Sequence, residues 1–193
     1  MATHIALLRG INVGGRNKVA MADLREVMAS LGHTDVVTYI QSGNVVFSTG
    51  DADTEAMASA LEQAIAGALG VKPAVVVLSR ADLAQAIQDN PYAGEPNPKA
   101  VHAVFFRDMP PGLAEAIAAA EQRDAERGGQ GSAQVVGRTL FVHTPLGFGR
   151  SELAAYLLGR SASPAAAGTA RNWATVTKLL ALCDGSTRTV RTL

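Results

Sequence analysis

The sequence has little of several features on which particular functions depend. Cysteine occurs once, at Cys183, which excludes an internal disulfide and favours a reducing compartment. The apolar runs, such as residues 74–78 and 114–120, are far shorter than the roughly 20 residues that span a bilayer, and no basic and apolar leader opens the chain. We therefore predict a cytoplasmic protein without a membrane span.

Motifs for metal, nucleophilic and cofactor chemistry are also lacking. The four histidines show no HxxxH or HExxH spacing, and no GxSxG motif occurs, so neither a helical zinc site nor a hydrolase nucleophile is indicated. Residues 10–15 do not match the GxGxxG motif of dinucleotide-binding folds. We predict no metal and no cofactor.

The charges balance overall but are unevenly distributed. Seventeen basic and seventeen acidic residues give a formal net charge of zero, so the field of the whole molecule does not indicate a nucleic-acid coat or a membrane surface as partner. Residues 10–22 carry Arg16 and Lys18 without an acid, residues 150–193 are also basic, and residues 51–100 are mainly acidic. Surfaces of opposite sign and ordinary solvated helix faces both fit this distribution.

The hydrophobic content of the whole chain, 48%, is that of a folded protein, and the first half follows the order βαββαβ. The expected elements are a strand at residues 4–8, a helix at 21–31, strands at 36–41 and 44–48, a helix stripe at 57–69 and a strand at 74–78. Ser42 and Gly43 are expected to form a two-residue turn, and Asp51 or Asp53 to cap the second helix. This is the order of a ferredoxin-like unit.

The second half repeats part of this pattern after a Pro-rich and Gly-rich linker at residues 91–99. The expected elements are a strand at 101–106, a helix through Leu113 and Ile117, a polar loop at 122–132, strands at 134–136 and 139–143, and a helix through Leu153. A terminal helix at 170–183 is capped by Thr169, and residues 187–190 are a weak candidate for the fourth strand. We predict an α+β fold of two ferredoxin-like (βαββαβ-type) halves, residues 1–90 and 100–193, the second degraded or rearranged.

Three segments together resemble one protein family. They are ALLRGINVGG at residues 6–15, TYIQSGNVVF at 38–47 and TARNWATVTKL at 169–179. Over nearly the whole chain the sequence is similar to the domain-of-unknown-function 1697 family. The resemblance implies a bacterial cytoplasmic protein of about this length with two ferredoxin-like parts, and it supplies no catalytic residue because the family has no established activity.

The first segment has the composition of an anion-binding loop. Its glycines permit conformations that direct several backbone N–H groups to one point, and neighbouring arginine, asparagine and lysine side chains add donors. Arg16 and Asn17 stand where a P-loop needs lysine and serine or threonine, so a nucleotide hydrolase loop is not indicated. Alternatively, the glycines only shape a long connection.

The other two segments could complete such a site. Ser42 and Asn44 lie at one end of the predicted sheet, although whether they share that end with Arg9 depends on strand lengths. In the predicted terminal helix, Arg171, Thr175 and Lys178 fall on one face, opposite an apolar face that contains Trp173 and Cys183. The polar face could equally be a solvated stripe, and Cys183 is interpreted as a packing residue.

The leading hypothesis is a site for a phosphate-bearing or otherwise anionic ligand, either a nucleotide or a short single-stranded nucleic acid. One alternative is an interaction module without a small-molecule site, whose two halves pair with each other or with a second copy through sheet edges. Another is an enzyme acting on a phosphorylated substrate, for which no general base is apparent. The candidate ligand-binding residues are Arg9, Gly10, Asn12, Gly14, Gly15, Arg16, Lys18, Ser42, Asn44, Arg171, Asn172 and Lys178.

Overall fold

A computed structural model describes residues 1–159 and 162–185. Within them the chain forms two four-stranded antiparallel sheets and six α-helices, a mixed α+β architecture. The chain divides into two compact units. The first unit comprises Met1–Ala84 together with the chain from Thr177 onward, as far as it is described, and the second comprises Gln85–Val176. The strand predicted at residues 187–190 lies outside the described residues.

The first unit has the predicted order of elements. They are β1 (His4–Arg9), α1 (Met21–Ser30), β2 (Thr34–Tyr39), β3 (Asn44–Ser48), α2 (Thr54–Leu69) and β4 (Ala74–Ser79), followed by α3 (Arg80–Gln88). The sheet order is β2-β3-β1-β4, and each neighbouring pair is antiparallel. The first and fourth strands therefore lie side by side although α1, β2, β3 and α2 separate them in sequence.

Helices α1 and α2 contribute to one apolar core in the first unit. Leu24 and Met28 of α1 and Leu61 and Ile65 of α2 are buried with Phe47 of β3. Burying a side chain of this size contributes about 1.5 to 3 kcal/mol each. Of the two predicted caps of α2, the side chain of Asp53 makes the contact, because it accepts the backbone N–H groups of Glu55 and Ala56 at 3.0 and 2.9 Å.

The predicted two-residue turn between β2 and β3 is wrong. Tyr39 pairs with Asn44, so the turn contains the four residues 40–43. Ile40 and Gly43 take the left-handed φ values of 49° and 79° that this wider turn requires. The buried Asn44 amide donates to Tyr39 O at 3.0 Å and to Ser42 Oγ at 2.9 Å. Asn44 therefore stabilises the turn from inside.

The second unit repeats the same order of elements. They are β5 (Val101–Phe105), α4 (Leu113–Glu126), β6 (Ser132–Val136), β7 (Thr139–His143), α5 (Glu152–Leu158) and β8 (Thr169–Asn172), and α6 (Trp173–Cys183) follows. Their sheet order is β6-β7-β5-β8, again antiparallel throughout. Val104, Leu140, Val142, Leu153 and Leu157 form its buried core.

Helix α4 continues into the segment predicted as a polar loop. Asp124, within that segment, is only 2% exposed. Its carboxylate accepts the N–H groups of Gly131 at 2.8 Å and Leu153 at 3.0 Å and the hydroxyl of Ser151 at 3.1 Å. Burial acts to raise the pKa of Asp124, but these hydrogen bonds outweigh it and the pKa is lowered. The charged Asp124 therefore lies in the interior, although the polar sequence around it predicted a loop.

The terminal helix begins later than predicted. Thr169–Asn172 forms the strand β8, in which Arg171 pairs with Ala103 of β5. The helix starts at Trp173, and its first turn is capped by Asn172 Oδ1, which accepts the Thr175 N–H at 2.8 Å. Asn172 therefore takes the capping role assigned to Thr169, and β8 supplies the missing fourth strand.

Carboxylates accept backbone N–H groups of strands at sheet edges. Glu62 Oε1 accepts the N–H of Val75 in β4 at 2.8 Å, and Asp82 Oδ2 accepts that of Ser79 at 3.2 Å. Glu121 Oε1 accepts the N–H of Ala133 in β6 at 2.9 Å. These side chains occupy donors that a further strand would otherwise use. Separately, no helix within residues 1–159 and 162–185 is long and apolar enough to cross a membrane.

Candidate functional site

Two loops of the first unit meet at one end of its sheet. The Leu8 N–H donates to Gly43 O at 2.8 Å, and Asn12 Nδ2 donates to Gln41 O at 2.9 Å. The connection after β1 is therefore fastened to the turn between β2 and β3. Residues 9–20 and 40–43 form what we call the basic end. Arg9 and Ser42 share it, which answers the question that predicted strand lengths left open.

The glycines of the first segment build a small hairpin. Gly14 and Gly15 have φ values of 57° and 76°, and the Arg16 N–H donates to Val13 O at 3.0 Å. Positive φ at both central residues with this hydrogen bond is the pattern of a type I′ turn. The Asn12 N–H donates to Asn17 O at 3.0 Å and continues the pairing. We call residues 12–17 the arm; its turn accounts for both glycines.

Two asparagine side chains hold the arm in place. Asn12 Oδ1 accepts the Val19 N–H and Asn12 Nδ2 donates to Val19 O, both at 2.9 Å. Asn17 Nδ2 donates to Gly10 O at 2.7 Å. Both asparagines have positive φ, 53° and 51°, which this residue type tolerates better than most. The geometry gives Asn12 and Asn17 a role in shaping the loop.

The cations of the basic end are directed to its surface. Arg9, Arg16 and Lys18 are exposed. Lys72 is also exposed and lies two residues before Ala74, the partner of Arg9 in β4. Asp23 is the acidic residue in the first turn of α1, which begins after Ala20 without a side-chain cap. Positive charge therefore predominates at this end.

Two exposed apolar side chains accompany these cations. Val13 in the arm is 69% exposed, and Ile40 in the turn is 51% exposed. Ile40 has a φ of 49°, an unfavourable conformation for a β-branched residue that costs about 1 to 3 kcal/mol. Strained residues of this kind cluster at binding sites, and Ile40 lies beside Gln41, the anchor of the arm.

The opposite end of the same sheet carries acidic residues. Ser48 donates to Asp35 at 2.8 Å and Ser79 to Asp82 at 2.7 Å. Burial lowers the pKa of His4, while Asp82 and Asp51 act against that shift. The first unit thus has positive and negative charge at opposite sheet ends, which is one of the two arrangements the uneven charge distribution allowed.

Arg171 and Asn172 are placed differently from the prediction. The predicted helical face of Arg171, Thr175 and Lys178 is wrong, because Arg171 lies on β8 and Thr175 is buried at 5% exposure. Burial lowers the pKa of Arg171 to about 10, so its guanidinium is still protonated at neutral pH, and its Nη1 donates to Ala170 O at 2.8 Å. Arg171 and Asn172 belong to the second unit, whereas the basic end and the half-buried Lys178 belong to the first.

Cys183 is fully buried, as expected for a packing residue. Burial, assisted by the charge of Asp184, raises the pKa of its thiol to about 11. The Cys183 thiol is therefore protonated at neutral pH and is a poor nucleophile. Within the described residues, no three His, Cys, Asp or Glu side chains are grouped so that they could hold a metal ion.

The second unit contains a polar cluster that sequence reasoning missed. His143 Nε2 lies 2.6 Å from Glu95 Oε2, and the Tyr92 ring stacks on His143 at 4.8 Å. Ser132 Oγ donates to the Tyr92 hydroxyl at 3.0 Å. Hydrogen bonds from the Asn97 N–H and from His143 lower the pKa of Glu95. The cluster fastens the segment predicted as a linker to the paired residues Ser132 and His143, a contact across 48 positions that no local pattern reveals.

The model of the family described as "Protein of unknown function (DUF1697)" matches residues 1–141. The chain belongs to the DUF1697 family. The predicted family is thereby confirmed, and the matched part includes the first two of the three segments and the whole basic end, whereas the third segment, at residues 169–179, lies beyond it.

One solved structure similar to this DUF1697 protein is that of the conserved bacterial protein SP0830 from Streptococcus pneumoniae. It is 24% identical in sequence, with a TM-score of 0.72, and the match covers 95% of this chain and 99% of that one. At this identity the likeness shows the fold. No curated protein matches the chain.

Proposed function

We propose that the basic end of the first unit binds a phosphate-bearing or otherwise anionic ligand, a nucleotide or a short single-stranded nucleic acid. The observation that carries this proposal is the hydrogen bond from Asn12 Nδ2 to Gln41 O, which fastens the arm to the turn at 40–43, while the Leu8 to Gly43 bond holds the same turn against β1. A loop held in this way presents Arg16 and Lys18 with little of the ordering cost that a free loop would have on binding.

The charges and apolar surface of this end support the same ligand class. Arg9, Arg16 and Lys18 are exposed, and an arginine guanidinium can donate two parallel hydrogen bonds to a phosphate. Val13 and Ile40 provide exposed apolar surface at the same end, against which a nucleobase or sugar could pack. In this proposal Gly14 and Gly15 give the arm its turn, and Ser42, exposed in the neighbouring turn, adds a hydroxyl.

We also propose that each unit is a ferredoxin-like domain. The order β1-α1-β2-β3-α2-β4 with sheet order β2-β3-β1-β4, and its repetition as β6-β7-β5-β8, support this assignment. The second half would then be a complete copy with a short fourth strand. That the protein is bacterial and that it is cytoplasmic remain predictions from the sequence.

The test is ligand binding by the parent and by the double variant Arg16→Ala/Lys18→Ala. The matched control is Lys99→Ala/Arg150→Ala, which removes two exposed cations from the second unit. Thermal shift at low salt, with phosphate, nucleotides and ten-residue DNA and RNA strands, identifies the class. Ligand at one hundred times its dissociation constant adds about 2.7 kcal/mol of stability.

We expect Arg16→Ala/Lys18→Ala, called the arm variant below, to bind the identified ligand at least tenfold more weakly than the parent does. The control should bind within twofold of the parent. If the ligand is a single strand, the logarithm of affinity should fall with the logarithm of salt by about 0.7 per phosphate contacted, and the arm variant should have the smaller slope. Equal loss in both variants would mean that only the overall charge matters and would refute the proposal. So would the absence of a shift with every ligand.

A further inference from the structure

The outer strand β6 of the second unit borders an apolar groove. The groove has a volume of about 560 Å³ and runs between β6 and the first turns of α4. Its apolar lining includes Met109, Pro110, Leu113, Ile117, Ala133 and Val135. Met109 and Val135 are 38% and 37% exposed, which is high for large apolar side chains. The groove therefore leaves apolar surface in water beside an open strand.

The backbone of β6 determines which groups face outward. Among residues 1–159 and 162–185, β6 pairs with β7 alone, and Val136 is opposite Thr139 across the two-residue turn. Residues in such a pair bond to each other, so alternate residues, Val135 and Ala133, direct N–H and C=O groups away from β7. The Ala133 N–H confirms this direction by donating to Glu121 on α4. For Val135, the described part of the chain contains no such acceptor.

In the first unit, a side chain from the first helix contacts the equivalent position. Thr38 lies opposite Val45, one step inward from the turn, as Val135 lies opposite Leu140. There Arg25 of α1 donates to the Thr38 hydroxyl at 2.8 Å. At Val135 the corresponding space between strand and helix is the open groove.

The charges around the groove define the chemistry of its occupant. Glu115 lines it, and Glu121 lies at the Ala133 end, where its carboxylate is already engaged with the strand. The open strand edge favours an extended backbone in the occupant, and the apolar lining favours apolar side chains at alternate positions. The carboxylate of Glu115 favours a basic residue at the flank of the occupant.

We propose that β6 binds an extended peptide segment of a partner protein as an added strand, with apolar side chains in the groove and a lysine or arginine near Glu115. The peptide pairs with Val135 and ends before Ala133, whose N–H Glu121 occupies. This site is independent of the basic end, since all of its residues belong to the second unit.

The test uses fluorescein-labelled ten-residue peptides in which valine alternates with threonine, flanked by lysine, glutamine or glutamate. Fluorescence anisotropy measures their binding to the full chain. Val135→Pro removes the outward N–H without removing a ladder hydrogen bond, since proline is tolerated on edge strands. Val135→Thr, the matched control, keeps both the N–H and the β-branched shape.

We expect the lysine-flanked peptide to bind most tightly, Val135→Pro to weaken it at least tenfold and Val135→Thr to weaken it less than threefold. Glu115→Lys should abolish the preference for the lysine flank, whereas Glu26→Lys, an exposed charge reversal in the first unit, should preserve it. Undiminished binding by Val135→Pro, or binding by none of the three peptides, would overturn the proposal.

A second measurement does not depend on the folding of a variant. The lysine-flanked peptide with every second backbone nitrogen methylated cannot donate along one edge, and we expect it to bind at least tenfold more weakly in one of the two methylation registers. Equal binding of both registers would exclude strand addition. Sedimentation velocity supplies the remaining outcome: if the parent dimerises and Val135→Pro is monomeric, a second copy occupies β6 and the peptide proposal is wrong.

Discussion

The two units share an order of strands and helices but differ in the connection between first strand and first helix. In the first unit this connection is residues 10–20, which include the arm and its exposed cations. In the second unit it is residues 106–112, which contain Met109, Pro110 and Pro111 and border the apolar groove. The same frame thus presents a basic, polar surface in one unit and an apolar one in the other, which shows that the connections carry what distinguishes the units.

The turns between the second and third strands of each unit also differ. In the first unit, residues 40–43 form a four-residue turn that contacts the connection after β1. In the second, Gly137 and Arg138 form a two-residue turn, and Arg138 Nη2 approaches Phe106 O at 3.4 Å. The longer turn is part of the candidate site, and its substitution should therefore affect more than local stability.

The largest contrast is expected between the glycines of these two turns. A Cβ on Gly43 would lie 2.7 Å from Leu8 Cβ, and its φ is 79°. A Cβ on Gly137, with φ of 58°, would meet nothing within 4 Å. Gly43→Ala should lower the free energy of unfolding by about 3 to 4 kcal/mol, from overlap and strain together, and Gly137→Ala by about 1 kcal/mol. Urea denaturation of both variants measures the difference, and similar values would show that the turns are equally permissive.

Removing the buried carboxylate of the second unit should lower the free energy of unfolding nearly as much. Asp124→Ala leaves the N–H groups of Gly131 and Leu153 without their acceptor, and we expect a loss of about 3 kcal/mol at pH 7. Because the pKa of Asp124 is lowered in the folded chain, its contribution is present above the ordinary value of 3.8 and is lost as the pH falls through the folded value. The exposed Asp108→Ala is the control, and a loss independent of pH would contradict this account.

A smaller effect is expected from His102. Burial lowers its pKa from 6.5 to about 4, so the folded chain holds it neutral where the unfolded chain is protonated. Its contribution is complete above pH 6.5 and declines as the pH falls towards 4. In His102→Phe this decline should disappear, so that the variant gains about 2 kcal/mol on the parent between pH 7 and pH 5. Denaturation at several pH values tests this, and parallel pH profiles would exclude it.

The smallest effect on stability is expected for Arg16 and Lys18 of the basic end. Arg16 and Lys18 are exposed, and no ion pair involves them among the described residues. Replacing each by alanine should change the free energy of unfolding by less than about 0.5 kcal/mol. A larger change, measured by urea denaturation, would indicate that these cations hold the fold together rather than serve a ligand.

Local patterns predicted most elements but not the contacts that define the sites. The first unit was predictable because its apolar residues recur at helical or strand spacing and Gly70 ends α2 with a φ of 67°. Ser42-Gly43 favoured a two-residue turn. The observed turn is longer because Ile40 takes a left-handed φ, which β-branched residues rarely adopt.

At the C-terminal end, two residues with capping side chains compete. Thr169 and Asn172 are both good N-caps, and the four-residue strand between the candidate helix starts is too short to give a pattern. Because Asn172 and not Thr169 caps the helix, Arg171 lies on a strand and not on the predicted helix face. The contacts of Asn12 with Gln41 and of Glu95 with His143 depend on how distant segments pack, which spacing along the sequence does not encode.

The carboxylates that accept edge N–H groups of β4 and β6 oppose association between copies of the chain. A chain with a formal net charge of zero has no long-range repulsion to keep its copies apart in concentrated solution. Glu62, Asp82 and Glu121 supply a local substitute, because each occupies an N–H that could otherwise template aggregation with the strand of another molecule. We therefore expect the placement of these few carboxylates, more than the net charge, to limit association through the edge N–H groups that they occupy.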